Sequence, residues 1–135
     1  MPVDAAHPNA ARARKYVDTF ASATPEELSD FLSDDIVWRV GGNHPLSGVY
    51  RGKEAVVNYL METKSRSDGT VKLSADSILA DDQHVALFLR VAGQRDGRQL
   101  DTTLAEVIKV DGDGRWKELW SLSASQRDVD AFWAN

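Results

Sequence analysis

The chain contains no cysteine, which excludes disulfides, thiolate metal ligands and a cysteine nucleophile. It also lacks any apolar run approaching the roughly 20 residues that a membrane-spanning helix needs. The opening segment MPVDAAHPNAARARKY has no apolar core of the kind a secretory leader carries, so a cytoplasmic protein with no membrane partner is expected. Positive charge is scarce: 16 Lys and Arg stand against 21 Asp and Glu, a net charge of −5. The single basic cluster, Arg12, Arg14 and Lys15, has the spacing of one solvated helix face. Phosphate backbones require clustered cations, so a nucleic-acid partner is not expected. His7, His44 and His84 are too dispersed for metal-ligand spacing, and neither a metal nor another cofactor is expected.

What is present suits one domain spanning residues 1–135, with residues 1–8 frayed. Hydrophobic residues make up 42% of the chain, enough for a single core. Pro8-Asn9 can open a helix, and Ala11, Tyr16, Val17 and Phe20 recur at helical spacing toward Ala23. Thr24-Pro25-Glu26-Glu27 has the form of a capping box and predicts a second helix with Leu28, Phe31 and Leu32 on its apolar face, ended by Ser33-Asp34-Asp35. Asp35 to Val40 reads as a strand with Ile36, Trp38 and Val40 on one face. Then comes WRVGGNHPLSGVYRG, in which paired glycines turn the chain and Asn43 and His44 precede a proline. A third helix starts at Gly52-Lys53-Glu54 and fades from Ser65 to Gly69.

Beyond residue 70 the period changes to two. Strands are predicted over 71–79, 84–92, 99–110 and 116–123, with Asp111-Gly112-Asp113-Gly114 a strong hairpin signal. A short helix from Arg127 to Trp133 closes the chain. Helices followed by long antiparallel strands describe an α+β domain: a curved antiparallel sheet around N-terminal helices, with a cavity open at one end.

Four segments, KYVDTFASATPEELSDFLSDDIVW, HPLSGVYRGKEAVVNYL, DGRQLDTTLAEVIKVDGDGRWKELW and VDAFW, touch most of the chain. Together they resemble a SnoaL-like member of the nuclear transport factor two-like (ketosteroid isomerase-like) superfamily. The resemblance implies a cone-shaped cystatin-like barrel with a deep pocket, usually in a homodimer. Relatives include isomerases, polyketide cyclases, epoxide hydrolases and non-catalytic binders, so fold does not settle function. In steroid isomerases a tyrosine on the first helix donates to the oxyanion, and it matches Tyr16. A protonated acid before the final hairpin matches Glu106. The general base falls on Val40, and neither Arg39 nor Gly41 is a carboxylate, which disfavours the familiar isomerase route. The cyclase histidine also falls on Glu106, and its aspartate partner falls near Ser123-Ala124-Ser125, so that chemistry is disfavoured too.

Glu106, between Leu104 and Ile108 on an alternating strand, either faces the cavity as an acid of raised pKa or sits at an edge paired with Arg or Lys. Tyr16 either points its hydroxyl into the cavity or packs at the core rim. His44, on a loop lengthened relative to the isomerases, is either a substitute base or a surface corner. Trp38, Val40, Tyr59, Ile108, Leu119, Ser121 and Ser123 are expected to line the cavity. Trp120 with Trp116 and Glu118 would form an outer, dimer-type face. Two functions follow, beside a third reading in which the chain is a dimeric interaction domain whose pocket is filled by side chains. One is an enzyme acting by acid–base chemistry on an apolar or polycyclic carbonyl compound, with Glu106 as acid, Tyr16 as second donor and His44 as base. The other is a binding module for a small apolar or aromatic ligand, favoured by the valine at position 40.

Overall fold

The computed structural model describes residues 7–135. The expected fraying of residues 1–8 falls on residues 1–6 outside that span; of the remaining two, His7 caps the first helix and Pro8 is its first residue. Helix α1 (Pro8–Thr19) buries Ala10, Ala13, Tyr16 and Val17, whereas Ala11 points to solvent. The Thr19 hydroxyl donates back to the Lys15 carbonyl at 2.7 Å, and the chain tightens into one 3₁₀ turn over Phe20–Ser22. Hydroxyls that bond their own backbone compete with helix continuation, so the helix stops short of Ala23.

The capping box forms as read: Thr24 accepts from the Glu27 N–H, and the Glu27 carboxylate accepts from the Thr24 N–H. Helix α2 (Pro25–Ser29) is only five residues long. Phe31 and Leu32 do not extend it. Instead strand β1 runs over Leu32–Val40, taking in Ser33-Asp34-Asp35, because Leu32 finds a partner in Trp116 and its pairing slips before Val37. Such an irregularity lets a strand bend and hides its period.

Strand β2 (Gly48–Arg51), which the sequence pattern did not reveal, pairs antiparallel with β1. It is a four-residue edge strand with three exposed positions, too short and polar to show alternation. Helix α3 (Lys53–Arg66) follows, then β3 (Lys72–Ala80), β4 (His84–Arg95), β5 (Arg98–Val110) and β6 (Trp116–Ser123), and helix α4 (Gln126–Trp133). The six strands form one curved, unclosed sheet in the order β2-β1-β6-β5-β4-β3. All neighbours are antiparallel except β1 and β6, which run parallel and depart from the all-antiparallel expectation. The fold is therefore α+β, one curved six-stranded sheet with helices filling its concave side.

The closed end of the cone is an aromatic cluster. Trp116 is fully buried, its ring centroid 4.9 Å from that of Tyr16, 5.7 Å from Phe31 and 6.3 Å from Trp38. Period two had placed Trp116 outside with Glu118 and Trp120. The register shifts between Lys109 and Val110, so that Glu118 faces Lys109 while Trp116 faces Val110, and this extra residue turns Trp116 inward. Trp120 stays half-buried on the outer face beneath Arg39, near the exposed Phe88, Val107 and Leu122.

Candidate functional site

Strand β5 alternates as its sequence does: Thr102, Glu106 and Ile108 turn inward, while Asp101, Thr103, Val107 and Lys109 face out. Glu106 is only 6% exposed and lines a cavity of about 90 Å³ between the sheet and the helices. Leu87 of β4 and Ser121 of β6 flank it in the ladder. Its Oε1 has no hydrogen-bond partner. Burial raises the carboxyl to a pKa of about 7, with the Ser121 hydroxyl acting the other way. Among the described residues no lysine or arginine lines the cavity. The carboxyl therefore sits among apolar walls without a counter-ion, poised between its two protonation states near neutral pH.

Tyr16 reaches the same cavity from α1 and is 2% exposed. Burial first, then the Glu106 charge and Tyr59, hold its phenol far above the usual range, so the hydroxyl stays neutral. Tyr59 of α3 lines the cavity too, stacked 4.5 Å from Tyr50, with its own pKa raised by burial and by Glu106. Trp38, Val40, Ser121 and Ser123 complete the expected lining.

Ile108 and Leu119 are corrections: they do not line the cavity. They pair with each other across β5 and β6, both at zero exposure, one inward step nearer the closed end than Glu106 and Ser121. There Trp38 of β1 stands beside Leu119 in the register, and side chains fill the space. Facing the concave side is a matter of period; facing open space depends on where the helices stop.

His44 also lines the cavity, at its rim. The loop holding it is braced from within and from α4. The Leu46 N–H donates to His44 Nδ1 at 3.1 Å, the His44 N–H to Ser47 Oγ at 3.0 Å, and Ser47 Oγ to the Gly41 carbonyl at 3.1 Å. From α4, Asp130 accepts the Asn43 N–H and the Gln126 amide, both at 2.9 Å. Burial lowers the His44 pKa and the nearby Asp130 opposes this. Its Nε2 is buried and unpartnered.

The α4 wall was not anticipated as part of the site. Gln126, Val129 and Trp133 line the cavity, while Phe132 is buried beside Trp133. The helix is held at its far end by Arg95 and Arg98, whose guanidiniums donate to the Phe132 and Ala134 carbonyls. Cations at a helix C-terminus satisfy its free carbonyls and its dipole. The signal in the sequence was the apolar stripe Val129-Phe132-Trp133, which marks a buried face but not what it covers.

Gly42 makes the loop-to-helix seam possible. Its φ is +92°, and a Cβ there would stand 2.0 Å from the Gln126 amide nitrogen and 2.4 Å from Asp130 Oδ1. Gly42→Ala is expected to destabilise the domain by about 2 kcal/mol through backbone strain at its positive φ and loss of the Gln126 and Asp130 contacts that tie the loop to α4. An unchanged urea midpoint would mean that the seam carries no such constraint.

Among the described residues no group of three or more His, Asp or Glu side chains is placed to hold a metal ion, and no helix is long and apolar enough to cross a membrane. The curved open sheet with helices on its concave side has the NTF2-like, ketosteroid isomerase-like fold. Within that class the chain belongs to the SnoaL-like domain family, whose model matches residues 13–119. The uncharacterized protein Rv0034 of Mycobacterium tuberculosis is 32% identical over 123 residues, 90% of this chain and 92% of the relative. A solved protein of unknown function with a cystatin-like fold from Xanthomonas campestris is 30% identical, with a TM-score of 0.86 over 96% of this chain and all of that one. Bal32a, from a soil-derived mobile gene cassette, shares the fold at a TM-score of 0.87 and 24% identity, over 93% of this chain and 95% of its own.

Proposed function

We propose that this domain is a small-molecule pocket enzyme that works by cofactor-free proton transfer on a small, mostly apolar carbonyl compound, with Glu106 as its central acid–base group. The observation behind this reading is the Glu106 carboxyl: buried, unpartnered on Oε1, facing a cavity and held near a pKa of 7. A group whose pKa lies near the working pH is populated in both states and loses little driving force in either direction. Tyr16, a neutral phenol on the same cavity, is the second polar contact. The Glu106 route needs no carboxylate at position 40, where the resemblance places the isomerase base and this chain has valine.

Size bears on the ligand. A dry cavity of about 150 Å³ accommodates benzene, and this one is about 90 Å³. The enclosed space is smaller than one that holds benzene, so the reading favours a short chain or one edge of a small ring inside, with the rest projecting through the rim between His44 and α4, over a wholly enclosed polycyclic compound.

A suitable reporter is cyclopentanone in deuterium oxide, with incorporation of deuterium beside the carbonyl followed by NMR. The wild-type protein is expected to accelerate exchange above buffer, increasingly so as pH rises through about 7 and Glu106 ionises. Glu106→Gln is expected to lose at least about 10²-fold of that acceleration, the contribution typical of a positioned acid–base group. Ligand-induced shifts without exchange in the wild-type protein would favour the second reading, a binding module. The valine at position 40 is the feature that keeps that reading in play.

A further inference from the structure

Building on the proton-transfer reading above, we infer that His44 is the electrophile of this pocket and not its base: its neutral imidazole offers Nε2–H to the carbonyl oxygen of an uncharged substrate while Glu106 takes the proton from the adjacent carbon. The assignment follows from where the ring's two nitrogens are committed. Nδ1 accepts the Leu46 N–H at 3.1 Å, so its lone pair is occupied and the imidazole proton belongs on Nε2. A base at Nε2 would require the proton on Nδ1, facing the Leu46 N–H donor to donor. Nε2 is itself buried without a partner, on a ring that lines the same cavity as the unpartnered Glu106 Oε1. A buried donor and a buried acceptor left open in one cavity each cost desolvation free energy that a ligand bearing the complementary groups would recover.

The surroundings keep the ring in this state. Ser47 and Asp130 fix the loop on either side of it, and burial keeps the imidazole neutral against the opposing charge of Asp130. The cavity also selects the charge of its ligand. With no lysine or arginine among the described residues of the lining, a carboxylate or phosphate inside would face ionised Glu106 uncompensated. An uncharged carbonyl compound meets no such repulsion and uses both open groups.

The step balances without a co-reactant. Glu106 takes the proton beside the carbonyl, and the C–H electron pair forms a carbon–carbon double bond. The carbonyl π pair moves onto oxygen, where the Nε2–H hydrogen bond stabilises it while the proton stays on nitrogen. Glu106 then returns a proton to the same or a conjugated carbon, and the carbonyl reforms.

The test compares His44→Gln with His44→Phe in the cyclopentanone exchange reaction. Both variants remove the Nδ1 acceptor for Leu46, but the glutamine amide oxygen can replace it, so the urea midpoints of the two variants are compared to separate loop disturbance from loss of the donor. Glutamine can place an amide N–H near the former Nε2 position but cannot act as a base. The expected result is a loss of about 10²-fold or more for His44→Phe, as for removal of one oxyanion donor, with His44→Gln within about 10-fold of wild type. Glutamine as inactive as phenylalanine, with cyclopentanone still bound, overturns the donor role. Nitrogen-15 NMR of the wild-type protein decides the same point independently of turnover: the Nε2–H tautomer supports the inference, and a protonated Nδ1 at pH 7 overturns it. Exchange that survives Glu106→Gln instead overturns the proton-transfer reading itself.

Discussion

Glu106→Gln will be more stable than the wild-type protein at pH 8, by about 3 kcal/mol, and the two will be nearly equal at pH 4.5. The sign follows from which state holds the proton more tightly. In the fold the carboxyl has a pKa of about 7, against 4.5 as its ordinary value, so the folded state binds the proton more strongly than the unfolded chain does. That contribution is fully present below about pH 4.5, is lost as pH rises through the window to about 7, and does not return above it. Each pKa unit is worth about 1.4 kcal/mol, which sets the size of the effect. Glutamine has nearly the same shape and no charge to bury. Every other titrating group is common to both proteins, so the difference between their urea-denaturation curves across pH isolates this one carboxyl. A constant difference from pH 4.5 to 8 would mean that Glu106 is solvated or paired after all. The same substitution that stabilises the fold is expected to abolish proton transfer. A functional group kept at a cost to stability is what a working site would show.

The second large effect lies in the aromatic end of the cone. Trp116→Ala is expected to cost about 3–5 kcal/mol, since it empties a fully buried position between Tyr16, Phe31 and Trp38. Trp116→Phe should be far milder, about 1–2 kcal/mol. The indole N–H of Trp116 is buried without a partner, so phenylalanine gives up ring area but also removes an unsatisfied donor. Thermal unfolding of the pair separates the two terms: equal losses for Ala and Phe would show that the indole N–H makes a hydrogen bond worth keeping. Because Tyr16 leans on Trp116, the alanine variant should also loosen the Tyr16 wall of the cavity.

Much of the architecture was legible because it rests on local rules. Proline at the start of α1 and α2, the Thr24–Glu27 capping box and the Asp111–Gly114 turn each act within a few residues, and each stands where the sequence places it. The alternation of Leu104, Glu106 and Ile108 left Glu106 facing either the cavity or an edge, and the structure turns it inward. What misled the reading were positions where the period slips. The irregular pairing at the head of β1 concealed a strand behind an apparent helix face, and the bulge beside Val110 turned Trp116 from the outer surface into the core. Strand β2 was invisible because its pairing with β1, not its own side chains, makes it a strand.

By itself the sequence determined the α+β class, the order of the helices and long strands, and the alternation that sets Glu106 on one face of β5 with Leu104 and Ile108, because period, capping and turn chemistry act over a few residues. Only the tertiary structure decided that Tyr16, His44 and Glu106, separated by up to 90 residues of chain, line one cavity, and that Ile108 and Leu119 do not. It alone placed α4 against the His44 loop and committed Nδ1 to Leu46, leaving Nε2 as the open group. The reason is physical: a backbone period tells a side chain which way to point, whereas open space and an uncommitted proton depend on what the rest of the chain packs against it.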